Sequence, residues 1–123
     1  TKIHEILEMI DFKNPQLDKL DLDDFLKNKI TKFLDNDLLK NINSATIYKE
    51  FKFISKSDTI GIIDCMIVYD DHIDIIDYKL KNVLDEAYSN QLNGYKEYIE
   101  TKTNKKTNIY LYSIIDEEMT KLK

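Results

Sequence analysis

The stretch that decides the fold is residues 60–79, which reads IGIIDCMIVYDDHIDIIDYK. Two runs rich in β-branched and aromatic residues, 59–69 and 73–79, account for most of it, and the polar connection 70–72 separates them. A third run of similar composition, residues 46–54, precedes them, and the polar connection 55–58 separates it from the run 59–69. This pattern predicts three consecutive strands that form a meander.

The second and third predicted strands each carry a carboxylate among apolar residues. Asp64 interrupts the nearly continuous apolar run 60–69, which is typical of a strand covered on both faces. On the next strand, the two-residue alternation places Asp77 and Lys79 on one face. Because a buried, unpaired carboxylate is costly, proteins usually pair it with a cation or a metal ion. An ion pair at a strand end is the plain structural alternative.

Helical periodicity flanks these strands. The sequence predicts helices over residues 2–12, over 22–34 with Asp21 or Asp23 as N-cap, around 38–39, and from Glu86 to about Lys102 with Asp85 as cap. Residues 108–115 are predicted as a fourth strand, and the charged tail as a helical fragment. The order α-α-β-β-β-α-β predicts an α+β fold, with a sheet of about four strands and helices on at least one face.

Composition narrows the function further. The chain has 123 residues, enough for one domain, and a formal net charge of -5. All 18 basic residues are Lys, against 23 acidic residues, which argues against nucleic-acid binding by bulk charge. A locally positive or metal-filled cleft is still compatible with this balance. The single cysteine, Cys65, excludes an internal disulfide, and the apolar runs are too short to span a membrane.

Two carboxylates on adjacent strands, followed by a lysine, have a specific chemical use. Asp64 and Asp77 would hold a hard divalent cation through oxygen atoms and leave water in its coordination shell. Lys79 would place an ammonium group beside a phosphate, where negative charge develops during hydrolysis. The arrangement therefore favours phosphodiester hydrolysis.

Three motifs carry a family resemblance: Gly61-Ile62-Ile63-Asp64, Ile76-Asp77-Tyr78-Lys79 and Gln91-Leu92-Asn93-Gly94-Tyr95. Together they resemble the RecB branch of the PD-(D/E)XK nuclease superfamily, above all the nuclease domains of AddA-type helicase-nucleases. In that family a helical histidine and a strand with a glutamate precede G-x-x-D, D-Y-K and Q-x-x-x-Y. All of these motifs occur here in that order, over nearly the whole chain.

The resemblance implies a role for each matching residue. Asp64 and Asp77 correspond to the metal-binding acids, Lys79 to the catalytic lysine and His4 to the helical metal ligand, with the main-chain carbonyl of Tyr78 completing the shell. Three further residues match the family pattern: Glu50 as the strand-one acid with a catalytic role, and Gln91 and Tyr95 as the substrate-side pair on the following helix. The alternatives are a structural histidine at position 4, a solvated acid at position 50 and core packing by Tyr95.

The resemblance also implies a biological setting. It predicts a restriction-endonuclease-like core and Mg²⁺ as cofactor, or Mn²⁺, which a histidine ligand favours somewhat more. The substrate would be DNA, single-stranded and delivered by a helicase domain of the same chain, with a second nuclease subunit as partner. The setting would be double-strand-break repair and recombination in the bacterial cytoplasm, with no membrane involvement.

Three identities stay open at this point. Residues 1–123 are expected to be a single nuclease domain, a fragment of a larger helicase-nuclease chain. The alternatives are a non-catalytic DNA-end-binding or docking module with the same fold, and a free-standing phage-type nuclease.

Overall fold

The computed structural model describes residues 2–54, 60–80 and 86–122. These ranges contain helices α1 (Lys2–Met9), α2 (Asp24–Leu34) and α3 (Glu86–Thr103). Their strands are β1 (Thr46–Ile54), β2 (Ile60–Val68), β3 (His72–Lys79), β4 (Lys106–Ser113) and β5 (Glu118–Leu122). Short 3-10 turns cover Leu17–Lys19, Asp37–Leu39 and Ile42–Ser44.

The strands form one mixed sheet in the order β1-β2-β3-β4-β5. β3 and β4 pair in parallel, and every other neighbouring pair is antiparallel. A parallel pair needs a long crossover connection, and α3 lies in that connection. The predicted meander β1-β2-β3 and the α+β class, a mixed sheet flanked by helices, are therefore confirmed.

The tail is a strand, so the prediction of a helical fragment there is wrong, and the described sheet has five strands rather than about four. β5 pairs with β4 from Ser113–Glu118 to Ile109–Leu122. The tight return between them is held by Ser113 Oγ, which donates to Asp116 Oδ2 at 2.8 Å. Pairing satisfies the backbone groups along that edge of β4, which outweighs the local helix preference of the tail.

Helix ends follow local hydrogen bonds. α1 ends at Met9, before the predicted end at residue 12, and the Asp11 carboxylate accepts from the Lys13 amide at 2.9 Å in the turn that follows. Asp23 caps α2, since its side chain accepts from the Leu26 amide at 2.8 Å, which confirms one of the two expected caps. The predicted cap Asp85 and the connection 55–58 lie outside the described residues.

Helices cover both faces of the sheet. One apolar layer joins α1, α2 and the 3-10 turns to the sheet; it includes Ile6, Leu7, Ile30, Phe33, Cys65, Ile76 and Tyr112. The opposite layer joins α3 to the sheet and includes Ile63, Ile73, Ile75, Leu92, Tyr95 and Ile99. Burial of these side chains is the main force that holds the helices on the sheet. No helix in the described ranges combines the length and apolar character needed to cross a lipid bilayer.

The side chains of β1 and β2 exchange faces at Glu50 and Asp64. The pairs on either side keep one register: Lys49–Cys65, with Cys65 in the α1 and α2 layer, and Phe51–Ile63, in the α3 layer. Glu50 itself has a φ of 51°, in the left-handed region that a glutamate rarely adopts. Asp64 lies at the point of this exchange, between Ile63 in one layer and Cys65 in the other, so its side chain departs from the regular alternation of β2.

Candidate functional site

A cleft opens at the end of the sheet where the pairing of β2 with β3 stops. The ladder runs from Val68–Ile73 to Cys65–Ile76 and ends one residue short of Asp64 and Asp77. The cleft has a volume of about 600 Å³ and is lined by His4, Ile60, Ile62, Asp64, Asp77, Tyr78, Lys79, Leu80, Gln91 and Tyr95. Every predicted site residue except Glu50 therefore lies in one place, contributed by α1, β2, β3 and α3.

Asp64 is the anchor of this cleft. Its Oδ2 accepts a hydrogen bond from the Tyr78 amide at 3.0 Å and lies 3.5 Å from His4 Nε2. Since the ladder has ended, the carboxylate takes the place of the backbone partner that Tyr78 would otherwise have. The carbonyl of Tyr78 as a ligand stays a prediction, because the structure fixes this residue through its N–H.

His4 is held against Asp64 by the packing of α1. Its ring meets the Tyr78 ring edge-on, with 5.5 Å between centroids. The side chain is 34% exposed, so the imidazole is half-buried and still reaches the cleft. The structural and the ligand interpretations of His4 are therefore compatible, because the contact that packs the ring also points Nε2 at a carboxylate.

Asp77 is the most perturbed acid of the cleft. Its pKa is raised to about 8, chiefly by burial and further by a hydrogen bond with Asp64 and by the charge of Asp64, while the Lys79 ammonium opposes the rise. Two carboxylates this close do not both ionise at neutral pH unless a cation joins them. Without a cation, the raised pKa of Asp77 therefore favours its protonated form near neutral pH.

A metal ion needs several donor side chains at one point. Within residues 2–54, 60–80 and 86–122, no group of three or more His, Cys, Asp or Glu side chains is placed so that it could hold a metal ion. The His4–Asp64 separation of 3.5 Å is, however, close to that of two ligands of one ion, each with a bond of about 2.1 Å. Binding through His4, Asp64 and Asp77 requires Asp77 to lose its proton and turn towards that pair.

Glu50 lies beside the cleft instead of in it. It is exposed on the edge strand β1, as expected, and lines an adjoining cavity of about 410 Å³ together with His4, Glu5, Glu8, Asp64 and Tyr78. Burial raises its pKa, Glu8 and then Asp64 raise it further, and His4 opposes them. This cavity and the cleft share His4, Asp64 and Tyr78 as lining residues.

Glu8 is a residue of this region that the sequence analysis missed. It hydrogen-bonds with Glu50 and lines the adjoining cavity with His4. Glu8 follows His4 by four positions on α1, and residues four apart share a helix face. That spacing is the signal that could have identified it.

Gln91 and Tyr95 form a linked pair at the edge of the cleft. Gln91 Nε2 donates to the Tyr95 hydroxyl oxygen at 2.7 Å, as their spacing of four on α3 allows. Tyr95 is 7% exposed and also packs edge-on against Phe53, at 5.2 Å between centroids. Core packing and a site role therefore coincide in Tyr95, while Gln91 is exposed.

The first residues of β2 differ from the prediction. The run 60–69 was expected to be covered on both faces, and Ile63, Cys65, Met66 and Ile67 are indeed buried. Ile60 and Ile62 are instead 68% and 41% exposed and line the cleft. The prediction is wrong at this end because the α1 and α2 layer meets β2 only from Cys65 onward.

Comparison with known proteins adds no family to these observations. No family model matches the sequence, and no curated protein matches it. The cleft and the motif resemblance are therefore the observations that bear on function.

Proposed function

We propose that this chain is a metal-dependent deoxyribonuclease of the PD-(D/E)XK superfamily, RecB branch, which hydrolyses phosphodiester bonds. The observation that carries the proposal is the meeting of His4, Asp64, Asp77, Lys79 and Gln91 in one cleft. They come from four elements spread along the chain. No single motif would be sufficient for phosphodiester hydrolysis, but the residues together in one cleft would be.

The charge of the cleft explains why a cation belongs to the proposal. A phosphodiester is an anion, and the carboxylates of Asp64 and Asp77 would repel it. The Lys79 ammonium offsets part of that repulsion, since its charge lowers the pKa of Asp77. A bound divalent cation would reverse the sign of the cleft and make it attractive to the backbone of DNA.

In the proposed mechanism, His4, Asp64, Asp77 and the Tyr78 carbonyl would hold Mg²⁺ or Mn²⁺. Such an ion, when bound, lowers the pKa of a coordinated water and polarises the phosphate. Lys79 donates to the phosphate oxygen on which negative charge develops. Gln91, oriented by Tyr95, contacts the phosphate from the α3 side, and Asp77 releases its proton to solvent as the site fills.

The wider role is proposed from the resemblance. It would be that of an exonuclease module in an AddAB- or RecBCD-like helicase-nuclease, acting in bacterial double-strand-break repair and recombination in the cytoplasm. Its partners would be DNA, a helicase domain and a second nuclease subunit.

The test is cleavage of end-labelled single-stranded DNA in Mg²⁺, Mn²⁺ or a chelator. Asp77→Ala and Lys79→Ala are each expected to reduce the rate by about 10²-fold or more, as loss of a charge-stabilising group does. Asp70→Ala and Lys106→Ala are the matched controls, because both residues are exposed and neither lines the cleft. Both controls should cut at the wild-type rate.

Each outcome separates the competing functions. Metal-dependent cleavage that is lost in both cleft variants supports the nuclease. Cleavage by Asp77→Ala at the wild-type rate contradicts the site. Absence of both cleavage and metal binding by calorimetry overturns the proposal and favours the non-catalytic docking module.

A further inference from the structure

A group of exposed aliphatic side chains borders the cleft. Ile60, Ile62 and Leu80 line it together with Asp64 and Asp77, and they are 68%, 41% and 44% exposed. Ile54, which pairs with Ile60 across β1 and β2, extends this surface and is 63% exposed. We call these four residues the apolar wall.

The apolar wall is not an unfinished part of the core. Between its members, Phe53 packs on α3 beside Gly61, and Ile63 is fully buried in the same layer. Ile60 and Ile62 alternate with these residues and so face the other way, where the α1 and α2 layer does not reach. Contiguous exposed aliphatic side chains at the mouth of a cleft are typical of a binding surface.

The charged residues of the cleft and the apolar wall would bind different parts of one ligand. The aliphatic side chains of the wall have no donor or acceptor, so they gain nothing from a phosphate or a hydroxyl group. They gain from a flat apolar surface such as the face of a nucleobase. In a duplex the base faces are stacked and hidden, so only an unpaired nucleotide presents such a face beside its phosphate.

We propose that the apolar wall holds an unpaired nucleobase next to the phosphate that lies at Asp64, Asp77 and Lys79. The inference rests on the proposed function of the cleft and adds positioning residues to it. Ile62 is two residues from Asp64 along β2, a separation of roughly 6–7 Å, which is within the reach of one nucleotide.

Lys52 places a positive charge on the same surface. It is directly opposite Ile62 in the β1–β2 ladder, and cross-strand partners project from the same face. The Lys52 side chain is exposed, so its ammonium is available to the phosphate beyond the held base. Two cations thus accompany the apolar wall, Lys79 in the cleft and Lys52 opposite Ile62, which suits a strand of alternating bases and phosphates.

The experiment compares two strands of equal length, oligothymidylate and its abasic analogue, both fluorescently labelled. Their binding to the full chain is measured by anisotropy in Ca²⁺. The variant is Ile60→Ser combined with Ile62→Ser, both at exposed positions where serine leaves the core intact. Met9→Ser is the matched control, since Met9 is 64% exposed and does not line the cleft.

The wild type is expected to bind oligothymidylate about tenfold more tightly than the abasic strand, which is the effect of burying a modest apolar area. The double variant should lose most of that preference, and Met9→Ser should keep it. Equal binding of both strands by the wild type, or a preference that persists in the double variant, overturns the proposal. A preference that depends on the wall in a chain that does not cut DNA would support the wall and contradict the nuclease, so the two failures are distinguishable.

Discussion

Ionisation of the Asp77 carboxyl destabilises the folded chain. Its pKa is raised to about 8 in the folded chain, chiefly by burial, whereas an unfolded aspartic acid titrates near 3.9. The folded state therefore holds the proton more tightly, and stability falls as the pH rises from about 4 to about 8.

Asp77→Asn should abolish this fall in stability at high pH, because the amide side chain cannot ionise. In a chelator we expect the variant to equal the wild type near pH 4 and to exceed its melting temperature near pH 9 by roughly 3–8 °C. Thermal denaturation at both pH values measures the difference. Asp70→Asn, at an exposed position outside the cleft, should show no such pH-dependent gain. A gain of the same size at pH 4 would mean that the charge of Asp77 is not its source.

Among the secondary-structure elements, the packing of α3 on strands β1 and β2 depends on a glycine. Gly61 is directly opposite Phe53, whose ring stacks on Tyr98 at 4.5 Å and meets Tyr95 edge-on. A Cβ at position 61 would overlap the Phe53 ring. The missing side chain is therefore the space that lets α3 lie against the sheet beside the cleft.

Gly61→Ala should lower stability by about 1–3 kcal/mol, the usual cost of overpacking. Gly94→Ala is the control, because a Cβ at this α3 position meets nothing within 4 Å. It should raise stability by about 0.5–1 kcal/mol, since alanine favours the helix over glycine. Denaturant unfolding measures both changes. Two shifts of the same sign would contradict this account of the packing.

At the scale of the whole molecule, the chain carries a net charge of -5 and its cleft joins two acids to a histidine. A cation that binds only the folded state stabilises it by mass action, by about 2.7 kcal/mol at 100 times its dissociation constant. We expect Mn²⁺ to raise the melting temperature of the wild type above that in NaCl of equal ionic strength.

His4→Ala tests which metal the cleft prefers. The variant should lose more of the Mn²⁺ effect than of the Mg²⁺ effect, because imidazole is a better ligand for the transition metal. Equal stabilisation of variant and wild type by Mn²⁺ would remove His4 from the ligand set and assign the effect to surface charge.

The sequence predicts the regular parts of this fold well. β1 matches its predicted bounds, and β2 and β3 begin and end within one residue of theirs, because polar connections separate runs that suit only strands. β5 escapes prediction because Glu, Met, Lys and Leu favour a helix locally. Residues 118–122 form a strand because they can pair with the edge of β4, and no local sequence pattern reveals that edge.

The site divides in the same way. Asp64, Asp77 and Lys79 were predictable neighbours, because they lie on consecutive antiparallel strands. The exposure of Ile60 and Ile62 was not, since it depends on where a packed helix layer stops. The interaction of Glu50 with Glu8 and the left-handed backbone of Glu50 were equally hidden, because neither follows from a local sequence pattern.

The amide of Tyr78 donates to a side chain, Asp64, at a point where the pairing of β3 with β2 has ended. Any event that changes the charge or orientation of that carboxylate must therefore change the shielding of this one proton. The Tyr78 amide is a natural NMR probe of the cleft, and its chemical shift would record protonation, cation entry or substrate arrival without any label being attached.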